Sequence, residues 1–234
     1  MSNISDIKKK ENYNFEDLKQ IIKLLRSENG CPWDREQTHK SIRNNFIEEV
    51  YEAIEAIDTD DAELLKEELG DVLVQIAMHA SISEDADGFD IDDVCDEICK
   101  KLIVRHPHVF GEAHESESAN TAEQVLSAWE NIKIKEKGFV DAREYIESTA
   151  RSLPALMRAE KIYNRAKKRE IIKPFDVGEK LAEFSENIKN LDNIDQIGKI
   201  LFDITAISSE LGINSEQALY DYIEKFTKKI MGKN

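Results

Sequence analysis

Glu48-Glu49-Val50-Tyr51-Glu52 and, after residues 53–67, Glu68-Leu69-Gly70-Asp71 decide how this chain folds. The interval is long enough to finish one helix, turn, and begin an antiparallel one. At about 100° per residue, Phe46, Val50, Ala53, Ile54 and Ile57 share an apolar arc on the first helix. Glu49 borders that arc, Glu52 lies about 60° further round, and Ala53 and Ala56 leave space beside them. On the second helix Leu65, Leu69, Val72, Leu73 and Ile76 form the main arc, with Glu68 at its border and Asp71 about 60° beyond. Leu64, Val74 and Met78 make most of the remaining surface apolar, so this helix is expected to be buried on two sides. Carboxylates are costly on such a helix unless a positive charge meets them. Four carboxylates on facing helices suit one or two hard divalent cations, Mg²⁺ with retained waters best of all. Acids three apart on a helix are ordinarily a solvated face, and either pair alone is read that way. The combination changes the reading, because both pairs edge an apolar arc.

Composition narrows the classes. The chain has 234 residues, 34% of them charged and 7% aromatic, with four prolines and nine glycines. That profile favours helices over sheets and allows one large or two small domains. A formal charge of −16 argues against a nucleic-acid-binding surface. It does not exclude a nucleotide, because a bound divalent cation reverses the local field. With no long apolar run and no signal-peptide pattern, a soluble, cytoplasmic protein without membrane contact is expected. Three cysteines fit a reducing compartment, and Cys95 and Cys99, four apart, read as small core-facing thiols.

The acidic signature, EExxE, a spacer, then ExxD, resembles that of the all-α nucleoside triphosphate pyrophosphohydrolases. Three further stretches resemble the MazG family specifically: Gly30-Cys31-Pro32-Trp33-Asp34-Arg35-Glu36-Gln37-Thr38-His39, Arg105-His106-Pro107-His108-Val109-Phe110, and Arg151-Ser152-Leu153-Pro154-Ala155-Leu156-Met157-Arg158-Ala159. The resemblance runs from about Phe15 to Ile230. It implies an all-α fold of two MazG-like helical bundles, with four-helix cores completed in a homodimer. It also implies Mg²⁺-dependent hydrolysis, Mn²⁺ being an acceptable substitute, of nucleoside triphosphates to monophosphate and pyrophosphate. Such an activity serves nucleotide-pool housekeeping. Glu49, Glu52, Glu68 and Asp71 are expected to hold the cations, and Glu48 or Glu52 to orient the attacking water. No stretch reads as a base-specific pocket, so a broad range of ribo- and deoxyribonucleotides is expected. The alternatives are a narrow-substrate relative acting on dUTP or phosphoribosyl-ATP, and a non-catalytic regulatory interaction protein.

The rest of the chain supplies flanking elements. Asn14 caps a helix that Gly30 ends. Trp33, in the turn that follows, is either a base-stacking platform or a plug over the bundle end, and the plug is favoured. His39 reads as structural. A helix over 91–105 places Val94, Ile98 and Leu102 inward and sets Lys101 and Arg105 on one face, where they are candidates for triphosphate oxygens. His106 and His108 flank a proline, which marks a helix end rather than a metal pair. Thr121-Ala122-Glu123-Gln124 is a capping box for a helix to about Lys137. Residues 139–153 read as a linker, with room for one helical turn, between an N-terminal catalytic domain, 1–138, and a C-terminal domain, 154–234. Arg165, Lys167, Lys168 and Arg169 form the most basic spot, expected to face a partner subunit.

The C-terminal part repeats the first domain's plan, with helices near 177–191, 194–211 and 215–231. Matching Gly198 to Gly70 puts Gln196 and Lys199 at the ExxD positions, and Ala182, Glu183 and Glu186 take the EExxE positions. An ammonium at Lys199, where a metal-binding aspartate belongs, ends metal binding by simple charge. The chemistry therefore falls to the first copy.

Overall fold

The computed structural model describes residues 7–111, 121–139, 141–173, 175–188 and 193–231, and no strand occurs among them. The helices are α1 (Phe15–Arg26), α2 (Pro32–Glu36), α3 (Arg43–Asp58), α4 (Ala62–Glu84), α5 (Ile91–Arg105), α6 (Pro107–Phe110), α7 (Ala122–Glu136), α8 (Ala142–Glu147), α9 (Ala155–Lys168), α10 (Val177–Asn187), α11 (Ile194–Glu210) and α12 (Ser215–Ile230). None is long and apolar enough to cross a membrane. The expected extension of the third-last helix to 191 lies outside the described residues.

The chain divides into two compact units between Val125 and Leu126, inside α7. The sequence reading set the division after residue 138. In the first unit α3 and α4 form the principal antiparallel pair, α1 packs on α4, and α5 packs on α4 too, with Lys19 of α1 paired to Asp92 of α5 at 2.7 Å. Small residues permit the close approach: Ala56 and Ala80 are each 1% exposed. A core of Ile22, Ile42, Ala77 and Met78, flanked by Leu18, Val74 and Ile82, ties α1 to the C-terminal half of α4.

Local sequence sets the ends of these helices. Asn14 and Asp17 form a reciprocal capping box, with the Asp17 amide donating to Asn14 Oδ1 at 3.1 Å and the Asn14 amide donating to Asp17 Oδ2 at 3.0 Å. The Asp17 carboxyl, also bound by Lys10, is held below its ordinary pKa chiefly by that lysine. Between α3 and α4 Asp60 takes φ 55°, a left-handed conformation that aspartate tolerates, and Asp61 caps α4 through the amides of Glu63 and Leu64. Asp90 opens α5 with a second capping box.

Arg26 locks the end of α1. Its side chain is 5% exposed and donates to the Asp34 carbonyl and to Asp85, each at 2.5 Å. This fixes the Cys31–Asp34 turn against the end of α4. Replacing Arg26 by Met strands the Asp34 carbonyl, so the first unit should lose about 1–3 kcal/mol, read as a lower denaturant midpoint for its transition.

Several apolar residues assigned inward by periodicity stand open in the single chain. Ile57 is 58% exposed, Leu69 54%, Ile98 48% and Leu102 46%. The arcs exist, but only their alanines and their α1-facing part are covered. Cys99 is exposed too, rather than core-facing, and all three cysteines are free thiols. Trp33 is 58% exposed and plugs nothing among the described residues.

In the second unit α9 packs against α11, α12 and α8, and α10 packs against α11. Tyr163, Ala166, Ala206 and Ile207 are buried, and the Tyr163 hydroxyl donates to Glu210 at 2.5 Å. Burial, followed by that bond to Glu210, pushes the Tyr163 hydroxyl pKa well up. The stretch read as a linker contains α8, whose Tyr145 is 2% exposed. Arg165 donates to the Tyr145 carbonyl at 2.5 Å and to the Ser148 and Thr149 hydroxyls at 2.9 Å, and its guanidinium lies over the Tyr145 ring. Lys167 pairs with Glu210. The basic spot thus organises its own unit, because buried carbonyls and a phenol ring need those donors.

Candidate metal centre

The candidate centre lies where α3 and α4 run side by side. One carboxylate oxygen each from Glu49, Glu68 and Asp71 lies within 4.8 Å of the others. Glu68 is buried at 9% exposure, Glu49 is half-buried and Asp71 is exposed. The trio thus forms a cleft with a closed floor and an open mouth. The i, i+3 spacing of Glu68 and Asp71 brings both to one side of α4, and the alanine-lined contact lets Glu49 approach from α3.

These acids repel one another. Glu49 is raised above the ordinary carboxylate pKa, first by burial and then by the charges of Asp71 and Glu52. Glu68 is raised as well, first by burial and then by Glu52 and Asp71. Glu52, exposed on α3, therefore acts on both Glu49 and Glu68. Glu48 is exposed one residue earlier. Among the described residues no lysine or arginine forms an ion pair with Glu49, Glu52, Glu68 or Asp71. Clustered, raised, unneutralised oxygens with one open side fit a hard divalent cation.

The candidates from other elements have contacts of their own. Lys101 is held by Glu97, four residues back on α5, and forms no ion pair with the four carboxylates. Arg105 is half-buried in the last turn of the same helix. His39 stacks on His79 of α4, with rings 5.1 Å apart and 8° from parallel and the two Nδ1 atoms at 2.8 Å. Burial, with His39 beside it, lowers the His79 pKa, and the stacked pair joins α4 to the segment before α3. His106 ends α5 with Nδ1 2.6 Å from the Leu102 carbonyl.

Sequence reasoning missed Gln75, one turn beyond Asp71, whose Oε1 is buried without a partner. It also missed a cavity of about 450 Å³ in the second unit, lined by Trp129, Lys133, Tyr145, Lys161, Arg165 and Lys168 among others. Lys133 lies 5.0 Å from the Trp129 ring centre. The i, i+4 spacing of Trp129 and Lys133 was the available signal for that wall.

The family model for the MazG nucleotide pyrophosphohydrolase domain matches residues 37–110, a span that includes all four carboxylates. The chain is 38% identical over 221 residues to the nucleoside triphosphate pyrophosphohydrolase/pyrophosphatase MazG of Thermotoga maritima, covering 92% of this chain and 83% of that protein. It is 35% identical over 224 residues to the nucleoside triphosphate pyrophosphohydrolase of Escherichia coli, covering 91% and 84%. A Mycolicibacterium smegmatis protein of the same name is 41% identical over 136 residues, 57% of this chain and 40% of that one. Likeness of this extent, over a chain whose acidic pairs meet in one cleft, makes this protein a member of the MazG nucleotide pyrophosphohydrolase family.

Proposed function

We propose that the protein hydrolyses nucleoside triphosphates to monophosphate and pyrophosphate, using Mg²⁺ held by Glu49, Glu52, Glu68 and Asp71. The observation that carries this reading is the meeting of Glu49, Glu68 and Asp71 within 4.8 Å on two helices. A divalent cation held by these carboxylates would supply charge neutralisation for the phosphate oxygens and the departing pyrophosphate. The buried carboxylates fix that charge in place, and the exposed Asp71 marks the side from which the polyphosphate enters. Glu52 stands beside Glu49 and Glu68 and is open to solvent, which suits it to accept the proton of the attacking water. The water oxygen bonds to the α-phosphorus as the bond from that phosphorus to the bridging oxygen breaks, and pyrophosphate leaves. Lys101 and Arg105 are the proposed partners of the outer phosphates, with Lys101 exchanging its bond to Glu97 for one to the substrate. The exposed Trp33 ring is the proposed platform for the base.

The open apolar arcs of α3, α4 and α5 support a homodimer in which a second copy covers them. The net charge of −16 disfavours nucleic acid, and the working place we assign is the cytoplasm. The second unit, in this reading, is a MazG-like copy that has lost its metal site. The test is pyrophosphate release by the full chain from each common ribo- and deoxyribonucleoside triphosphate, with Mg²⁺ and with chelator. Release from several of them, abolished by chelator, is the expected result. Release from dUTP alone would restrict the substrate class, and none from any triphosphate would overturn the reading.

A further inference from the structure

The second unit contains a compact ionic cluster at sequence positions that correspond to the neighbourhood of the acidic trio when Gly198 is matched to Gly70. Lys199 Nζ lies 2.6 Å from Asp203 and 3.8 Å from Glu183, while Lys180 Nζ lies 3.1 Å from Glu183 and 3.4 Å from Asp203. Two ammoniums and two carboxylates thus interlock across α10 and α11. With Gly198 matched to Gly70, Lys199 falls at Asp71 and Asp203 at Gln75. With Glu183 matched to Glu49, Lys180 falls at Phe46. The cluster is therefore not a simple loss of acids. An apolar residue and an amide in one copy are a lysine and an aspartate in the other, each facing the opposite charge.

Burial makes the arrangement consequential. The Asp203 side chain is 10% exposed and Lys180 18% exposed, so neither charge is well solvated without its partners. The Glu183 carboxyl is held below its ordinary pKa, first by its bond to Lys180. The set sums to zero charge, whereas among the described residues no lysine or arginine pairs with the first unit's carboxylates.

We propose that the two lysine ammoniums of the second unit occupy the role a divalent cation would play between α10 and α11, clamping that helix pair without metal. The clamp makes the second unit's fold indifferent to the Mg²⁺ supply, whatever the activity of the first. The test is amide hydrogen exchange of the full chain in the presence of chelator. Lys180→Met combined with Lys199→Met should speed exchange in α10 and α11 at least about tenfold, because it strands Asp203. Adding Asp203→Asn to that pair should recover much of the loss by removing the stranded charge. If the double variant does not fold, Lys199→Met alone carries the same comparison. Unchanged exchange in the lysine variants would overturn the proposal. So would slower exchange of α10 and α11 on adding Mg²⁺ to a Glu68→Gln chain, since that would place a metal in the second unit.

Discussion

Glu68→Gln is expected to lower pyrophosphate release more than about 100-fold while raising the thermal midpoint of the metal-free protein. Losing an outer partner of a metal ligand typically costs about 10–100-fold, and Glu68 is proposed as a ligand itself, the most buried of the set. Stability moves the other way for a different reason. The Glu68 carboxylate is raised by burial and by the nearby charges of Glu52 and Asp71, so its charged form is unfavourable whenever no cation is present. A neutral amide of the same shape removes that repulsion and leaves the helix intact. Pyrophosphate release and a thermal scan in chelator, made on one preparation, read both effects. Activity near that of the parent chain would sink the metal assignment. A lost activity with a lowered midpoint would mean that Glu68 supports the fold instead.

The parts of this structure that follow from neighbours in sequence were legible in it. Asn14 with Asp17, and Thr121 with Gln124, define helix starts by their own side chains, and both capping boxes are present. The spacing of Glu68 and Asp71 fixes them on one side of α4 whatever else α4 touches. What was not legible depends on partners distant in sequence. The linker reading leaves room for the single turn of α8, but Tyr145 looks like a loop tyrosine until Arg165 is seen donating to its carbonyl from α9. Periodicity says that Leu69 and Ile98 want a cover, but not that the single chain fails to provide one. His39 and His79 are forty residues apart, and only the fold puts their rings in parallel. Lys199 was visible as a foreign charge, whereas Lys180 and Asp203 fell on positions that the acidic signature does not include.

Added Mg²⁺ is expected to stabilise the first unit more strongly as pH climbs above the ordinary carboxylate range, and the sign follows from the two raised glutamates. Glu49 and Glu68 have folded pKa values above the ordinary 4.5. Their contribution to the stability of the metal-free protein is therefore fully present below the ordinary value. It is lost as pH rises through the raised ones, because the folded state holds protons that the unfolded chain has released. A divalent cation competes with those protons for the same oxygens, so its affinity grows over the same window. At about one hundred times its dissociation constant a ligand adds about 2.7 kcal/mol, which for a unit of this size is about 10 °C in thermal midpoint. The metal-free midpoint should thus fall as pH climbs out of the carboxylate range, and the Mg²⁺-bound midpoint should not follow it down. Scans with and without Mg²⁺ at several pH values between about 5 and 8 give the difference directly. A Mg²⁺ shift of equal size across that range would show that the bound cation does not meet these carboxylates. A shift that survives in Glu68→Gln would place the cation elsewhere in the chain.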